Sequence, residues 1–294
     1  MVTKRTMGDK AFDVINTIFM IVMILITLYP FYYVITCSIS DSNMIIGDKG
    51  LMLWPKGYSL AAYEMVMRNP NILSSYRVTL LLVIAGTFVN VLMTSIGAFV
   101  LSRKKLAIKK PLTLLIIFTM YFSGGMIPGY LLTYKVLNLG NTLWALILPG
   151  AISTYNLIIM RTNFMAIPDS LEESAKIDGA NEIIVLFKII LPLSLPILAV
   201  MTLFYGVGHW NSWFNAMLFI RDRAKYPLQL ILREILLLNS TESMMGDTAS
   251  VDKYNIGESI KYATIIVATL PILLVYPFIQ KYFVKGMLIG AVKG

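Results

Sequence analysis

An all-α membrane protein with six transmembrane helices and both termini on the cytoplasmic side is the fold class predicted for this chain of 294 residues, and three observations predict it. Hydrophobic residues make up 57% of the chain and charged residues 14%, and the mean hydropathy is +0.73. Soluble domains carry about 25% charged residues, so this composition cannot cover a water-exposed globule of the same size. Six stretches, residues 12–38, 78–101, 111–133, 143–160, 189–208 and 262–283, are long and apolar. Each offers about 20 residues, the number a helix needs to cross a bilayer core about 30 Å thick. Lys and Arg collect in alternate short segments between these stretches, which marks the cytoplasmic side. The abundance of aromatic and branched apolar residues excludes a disordered chain. Cys37, the single cysteine, has no partner for a disulfide and reads as an apolar filler on a helix.

Lys4, Arg5 and Lys10 precede the first span, which is longer than the apolar region of a signal peptide. Tyr29, Pro30, Phe31, Tyr32 and Tyr33 stand where small residues would mark a cleavage site, so the span reads as a retained anchor. After the second span come Arg103, Lys104, Lys105, Lys109 and Lys110, read as a topology signal. The formal charge of +9 is placed by membrane orientation, and nucleic acid is not a predicted partner. Gly124, Gly125, Pro128 and Gly129 interrupt the third span, Pro149 and Gly150 the fourth, Pro192 and Pro196 the fifth, and Pro271 and Pro277 the sixth. Such breaks are tolerated where helices pack closely or where a polar pathway satisfies the freed backbone groups.

The spans are nearly free of charge: Asp13 lies near the inner end of the first, and Arg77 and Arg161 lie at helix ends. That disfavours a proton-coupled carrier, which needs intramembrane relay groups. His209 is the only histidine; it cannot form a paired zinc site and is expected as an interfacial polar residue at the outer end of the fifth span. No catalytic cluster, metal site or G-x-x-x-x-G-K-[ST] phosphate loop is present, so any ATP that drives this protein is bound by another chain.

The most informative stretch is the cytoplasmic segment 161–188. Ser170 with Glu173 fits a capping box, which predicts a helix start. Leu171, Ala175, Gly179, Ile183 and Phe187 recur at a spacing of four as an apolar stripe, with Glu172, Glu173, Lys176 and Glu182 off it. Gly179 costs about 1 kcal/mol relative to Ala inside a helix and is expected to turn the chain between two short helices. A short amphipathic, acidic segment suits docking into a groove of a soluble partner better than lying on an anionic lipid surface.

Glu173, Ser174 and Ala175, then Gly179, then Ile189, Ile190, Leu191 and Pro192 resemble the E-A-A-x3-G-x9-I-x-L-P loop of bacterial binding-protein-dependent ABC import permeases, with Ser174 in place of the usual Ala. Arg161, Phe164, Ile167, Pro168, Ile177, Asp178, Gly179 and Ala180 resemble the carbohydrate importers of that family, and the ending from Gly286 to Gly294 is similar to the MalG type. Phe122, Ser123, Gly124 and Gly125 before Met126, Ile127 and Pro128 are similar to permeases for breakdown products of complex polysaccharides, such as uronate-containing oligomers.

The resemblance implies a type I ABC importer (MetI-like) permease fold in the bacterial cytoplasmic membrane. It implies a first helix and extracytoplasmic loop over residues 1–73, a permease domain over 74–285 and a cytoplasmic tail over 286–294. It also implies a second homologous permease, two ATPase subunits that hold ATP and Mg²⁺, an extracytoplasmic solute-binding protein and a carbohydrate substrate, with no cofactor on this chain. Glu172, Glu173, Ser174, Ala175, Asp178, Gly179, Ala180, Leu191 and Pro192 become the ATPase-coupling residues. Gly290, Val292, Lys293 and Gly294 become a tail at the ATPase interface, and Trp210, Asn211, Trp213 and Asn215 line the substrate pathway or form an interfacial aromatic belt. A self-contained channel or secondary carrier for a small polar solute is the alternative; it needs neither the docking loop nor an ATPase.

Overall fold

A computed structural model of the chain describes residues 6–46, 50–104, 106–237, 259–275 and 277. Among the described residues the backbone is helical apart from connecting turns and one antiparallel bridge between Ser40 and Tyr58. The chain divides into two compact units, residues 1–69 with 234–269 and residues 70–233 with 270–294.

The first unit opens with α1, Met7–Ser38, which contains the predicted first span. Thr6 and Asp9 cap it reciprocally: the Thr6 amide donates to Asp9 Oδ2 at 2.8 Å and the Asp9 amide to Thr6 Oγ1 at 3.3 Å. At 1.5 Å per residue the helix is about 48 Å long, more than a bilayer core requires. Apolar residues are exposed at consecutive positions from Ile18 to Ile26, so no face is reserved for a protein core. Below its end, Cys37 joins Ile45 of α2, Ser42–Ile46, and Met52 in a small core against Tyr33 and Tyr262. The amide of Asp41 donates to the Lys56 carbonyl at 2.9 Å and that of Ser59 to the Ile39 carbonyl at 3.0 Å, which leads the chain into α3, Ala61–Arg68. The Ser42 hydroxyl donates to that of Ser259 at 2.8 Å, at the start of the helix Ser259–Val275.

The second unit is built on α4, Pro70–Ser102. Pro70 takes the first helical position, where the missing N–H costs nothing. The helix continues through a π-helical turn at Leu82–Gly86, so the predicted span 78–101 is the middle of a longer element. The predicted third span is two helices: α5, Lys109–Tyr121, and α6, Met126–Val136, meet at 110°. Gly125 between them has φ +84°, which a side chain would oppose. The predicted fourth span is also interrupted. Here α7, Trp144–Ile147, runs into a 3₁₀ turn at Leu148–Gly150 before α8, Thr154–Met165, starts under a Ser153 cap. Pro149 lacks the amide that a continuing helix needs. The chain then forms α9, Asp169–Ile177, α10, Glu182–Leu193, and α11, Leu195–Trp210; α10 and α11 meet at 88°, with Pro192 and Pro196 flanking Ser194. Then come α12, Phe214–Phe219, and α13, Leu228–Leu237, of which the part up to Arg233 belongs to this unit.

Among the described residues two helices are long and apolar enough to cross a membrane, or four when each bent pair counts as one crossing. The predicted sixth span begins within Ser259–Val275, and the rest of residues 262–283 lies outside the described residues except 277.

One core of the second unit joins Ala98 and Phe99 of α4, Met160 and Phe164 of α8, Val185 and Ile190 of α10, and Met201 and Tyr205 of α11. Polar side chains serve the backbone breaks. Asn90 Nδ2 donates to the Gly150 carbonyl at 2.8 Å, and the Ser153 amide donates to the Tyr205 hydroxyl at 3.0 Å. That hydroxyl lies 2.6 Å from Thr94 Oγ1. His209 Nε2 lies 3.2 Å from Asn90 Oδ1, and His209 is 8% exposed. His209 stands in the last turn of α11, at the end of the fifth span as expected, and its ring is turned inward as an interhelical hydrogen-bonding group, because Gly86 leaves room for it against α4.

Candidate functional site

The segment between α8 and α10 forms a compact two-helix loop. Its first helix, α9, begins at Asp169 with Pro168 in the capping position and no side-chain cap. The capping box expected from Ser170 and Glu173 is not formed, because Ser170 already lies inside the first turn. Asp169 and Glu172 place negative charge at the helix N-terminus, which the helix dipole favours.

The end of α9 is a Schellman motif. The Ala180 amide donates to the Ala175 carbonyl at 2.9 Å and the Gly179 amide to the Lys176 carbonyl at 3.1 Å, with Gly179 at φ +84°. Gly179 thus turns the chain between two helices, as its place in the sequence predicts. Asn181 starts the next helix: its Oδ1 accepts the Ile184 amide at 2.9 Å.

This turn splits the predicted apolar stripe, since its four-residue phase holds only along an unbroken helix. Ala175 and Ala180 pack inward with Leu191 and Ile167 against the core of α4 and α8. Leu171, Ile183 and Phe187 stay exposed, and Ile177, off the predicted stripe, is the most open of them at 87%. Glu173, Ser174, Asp178 and Gly179 share the exposed side, and Pro192 is exposed at the end of α10.

Glu172 points the other way. Its side chain is 13% exposed, and its Oε2 accepts Arg103 Nη1 while its Oε1 accepts Lys176 Nζ at 2.7 Å. Lys176 also reaches Glu182 at 2.6 Å. Lys104 donates to Asp169, a bond that holds the Asp169 carboxyl below and the Lys104 ammonium above their ordinary pKa values. Burial lowers the Arg103 guanidinium pKa, and the carboxylates of Asp169 and Glu182 oppose that shift. Arg103 and Lys104 belong to the basic cluster that sequence reasoning took as an orientation signal only. The acidic excess of segment 169–182 in the same compartment was the clue to their second role.

At the other end of α11, Trp210 is 7% exposed and meets Tyr76 edge-on at 6.3 Å. Asn211 Nδ2 donates to the Val207 carbonyl of its own helix at 3.0 Å. Trp213 is more open; its ring packs on Phe214, and the Arg233 guanidinium lies 4.8 Å from its centroid. Asn215 is exposed on α12. Arg233 is a candidate that the sequence reading did not single out. Gly290, Val292, Lys293 and Gly294 lie outside the described residues. Among the described residues no group of three or more His, Cys, Asp or Glu side chains is placed to hold a metal ion.

No protein-family model matches the chain. It is 44% identical over 290 residues to the polygalacturonan/rhamnogalacturonan transport system permease protein YtcP of Bacillus subtilis, covering 98% of this chain and 100% of that protein. It is 45% identical over 290 residues to Protein LplC of the same organism, covering 99% and 97%. Among solved structures it resembles the crystal structure of a bacterial ABC transporter involved in the import of the acidic polysaccharide alginate. That match has a TM-score of 0.86 and 29% identity, over 95% of this chain and 99% of that chain.

Proposed function

This chain belongs to the permease subunits of carbohydrate ABC transporters, and we propose that it carries an acidic oligosaccharide inward across the bacterial cytoplasmic membrane as one half of a permease pair. It is a transport subunit, not an enzyme, and the ATPase of this family resides on separate chains. Two such chains hold ATP and Mg²⁺ beneath the permease pair, and an extracytoplasmic solute-binding protein delivers the sugar above it. The chain crosses the membrane six times with both termini inside.

The observation that carries this reading is the loop from Asp169 to Leu193: one side is riveted to the body by packing and ion pairs, and the other leaves Leu171, Ile177 and Ile183 open beside Glu173 and Asp178. An apolar, acidic and rigid projection is suited to a groove on an ATPase. From α10 the chain passes directly through the bend at Ser194 into α11, whose Tyr205 and His209 bond to α4. Closure of the ATPases on nucleotide therefore pushes a lever that re-aims α11 and opens the pathway alternately to the two sides. The tail residues Gly290 to Gly294 are placed by this reading at the ATPase interface.

Acidic sugar is favoured over neutral sugar by two facts. YtcP is named for polygalacturonan and rhamnogalacturonan, and the solved neighbour imports alginate. Arg233 over Trp213 also offers a guanidinium for a carboxylate beside an aromatic face for the sugar ring.

The test is purification of the tagged chain with its stoichiometric partners, reconstitution in vesicles with a trigalacturonate-binding partner protein, and uptake of labelled trigalacturonate. Uptake that requires ATP on the ATPase side, and whose apparent KM rises about tenfold in Arg233→Gln, is the expected result. A chain that purifies alone and transports without ATP overturns the reading.

A further inference from the structure

The loop is joined to the body covalently at both ends, where α8 leads into it and where α10 leads into α11, and by the packing of Ala175, Ala180 and Leu191 on the core. It also has an ion-pair joint to the end of α4, far away in sequence, which centres on Arg103.

Arg103 directly follows the last residue of α4. Its guanidinium lies 4.7 Å from the centroid of the Phe99 ring, one turn back on the same helix and 5% exposed in the core. Its Nε and Nη2 donate to Ser102 Oγ at 3.0 and 2.9 Å. Its remaining reach is spent on Glu172 of α9, and the two side chains are 19% and 13% exposed. The side chain is thus held to α4 on one face and grips α9 with its tip. Around it, Arg161 Nε donates to the Leu101 carbonyl and Lys109 Nζ to the Ser102 carbonyl, each at 3.1 Å, so the end of α4 is a junction of three segments.

We propose that Arg103 is a positioning residue for energy coupling, tying α9 to α4 so that displacement of the loop moves α4 and α11 together. This rests on the coupling reading of the loop given above. It divides the loop residues by face: Glu172 belongs to the body-side joint, whereas Glu173, Ile177 and Asp178 belong to the docking side. A half-buried, hydrogen-bonded pair of this kind resists sliding because a partner that lets go leaves a charge uncompensated. Arg suits the place better than Lys, since one planar fork serves Ser102, Glu172 and the Phe99 ring at once.

The experiment uses the assembled importer in vesicles and reads two quantities: ATPase subunit retained per permease, and trigalacturonate transported per ATP hydrolysed. Arg103→Gln and Glu172→Gln are expected to retain the ATPase at native stoichiometry while transport per ATP falls about tenfold. A second pair of variants guards against misfolding. In a Cys37→Ala background, Arg103→Cys with Glu172→Cys is joined by a short reducible thiol cross-linker. The linked importer should recover coupling, and reduction should abolish it in the same folded protein. Unchanged transport per ATP in the single variants, or no difference between linked and reduced states, overturns the proposal. Loss of ATPase from the native complex itself sinks the coupling reading instead, so the two failures are distinguishable.

Discussion

The amide of Ala180 donates to the carbonyl of Ala175 at 2.9 Å across Gly179, and both alanines pack on the same core. Backbone geometry and burial therefore agree at one turn, and the angle between α9 and α10 is held from both ends.

Gly179 has φ +84°, and a Cβ there would meet nothing within 4 Å. Gly179→Ala therefore acts through backbone strain alone, about 1–2 kcal/mol. Gly179→Asn should cost less, since Asn tolerates the left-handed region. Gly179→Pro should cost most, because it also deletes the amide that donates to Lys176. The ranking Gly, Asn, Ala, Pro in ATPase retention during purification checks this order.

Ile177 is 87% exposed and packs on nothing that its replacement would disturb. Ile177→Asp should shift the stability of the isolated chain by less than about 0.5 kcal/mol. On the proposed docking surface the same change should cost at least about 2 kcal/mol of ATPase binding. Thermal unfolding in detergent and a quantitative pull-down measure the two effects separately, and equal losses in both would contradict the assignment of faces.

A Cβ on Gly86 would stand 2.5 Å from His209 Nε2. Gly86→Ala should destabilise the protein by about 1–3 kcal/mol by forcing a packed ring away from Asn90. Adding His209→Ala removes the obstructing ring and should recover part of that loss. Non-additivity in a double-mutant cycle of thermal unfolding is the readout.

The bond between Lys104 and Asp169 lowers the Asp169 pKa and raises the Lys104 pKa. Its contribution is fully present above the unfolded Asp value of about 3.9 and is lost as pH falls through the lower folded value. At the alkaline end it is present below the unfolded Lys value of about 10.4 and is lost as pH rises through the higher folded value. Between about pH 5 and 9 the contribution should be flat. Both side chains are largely exposed, at 80% and 51%, so salt should weaken it across that range. Melting of native chain and Asp169→Asn against pH and ionic strength checks both statements.

The helical class and the apolar first helix were legible because lipid solvation acts on each residue separately and leaves its mark in composition and run length. The turn at Gly179 was legible for a similar reason: a Gly in the midst of good helix formers and apolar spacing has few local explanations. The division of the loop into faces was not, because the four-residue periodicity of Leu171, Ala175 and Ile183 carries no information about what happens once the helix stops. Nor was the partner of Glu172, since Arg103 stands in a segment whose charge already had a sufficient explanation in membrane orientation.

The sequence by itself determined that the chain is helical and membrane-bound, which residues make up the loop, and to which family it belongs. Each of these rests on local composition or on a linear motif. The breaks in spans 111–133, 143–160 and 189–208 were marked by their Gly and Pro residues; tertiary structure alone decided how far the first and last of them bend, that His209 is turned inward against Gly86, and that Arg103 grips Glu172. Those outcomes depend on which distant segments can satisfy a freed carbonyl, a ring or a charge. The pairing partners are chosen by packing in three dimensions rather than by neighbours along the chain.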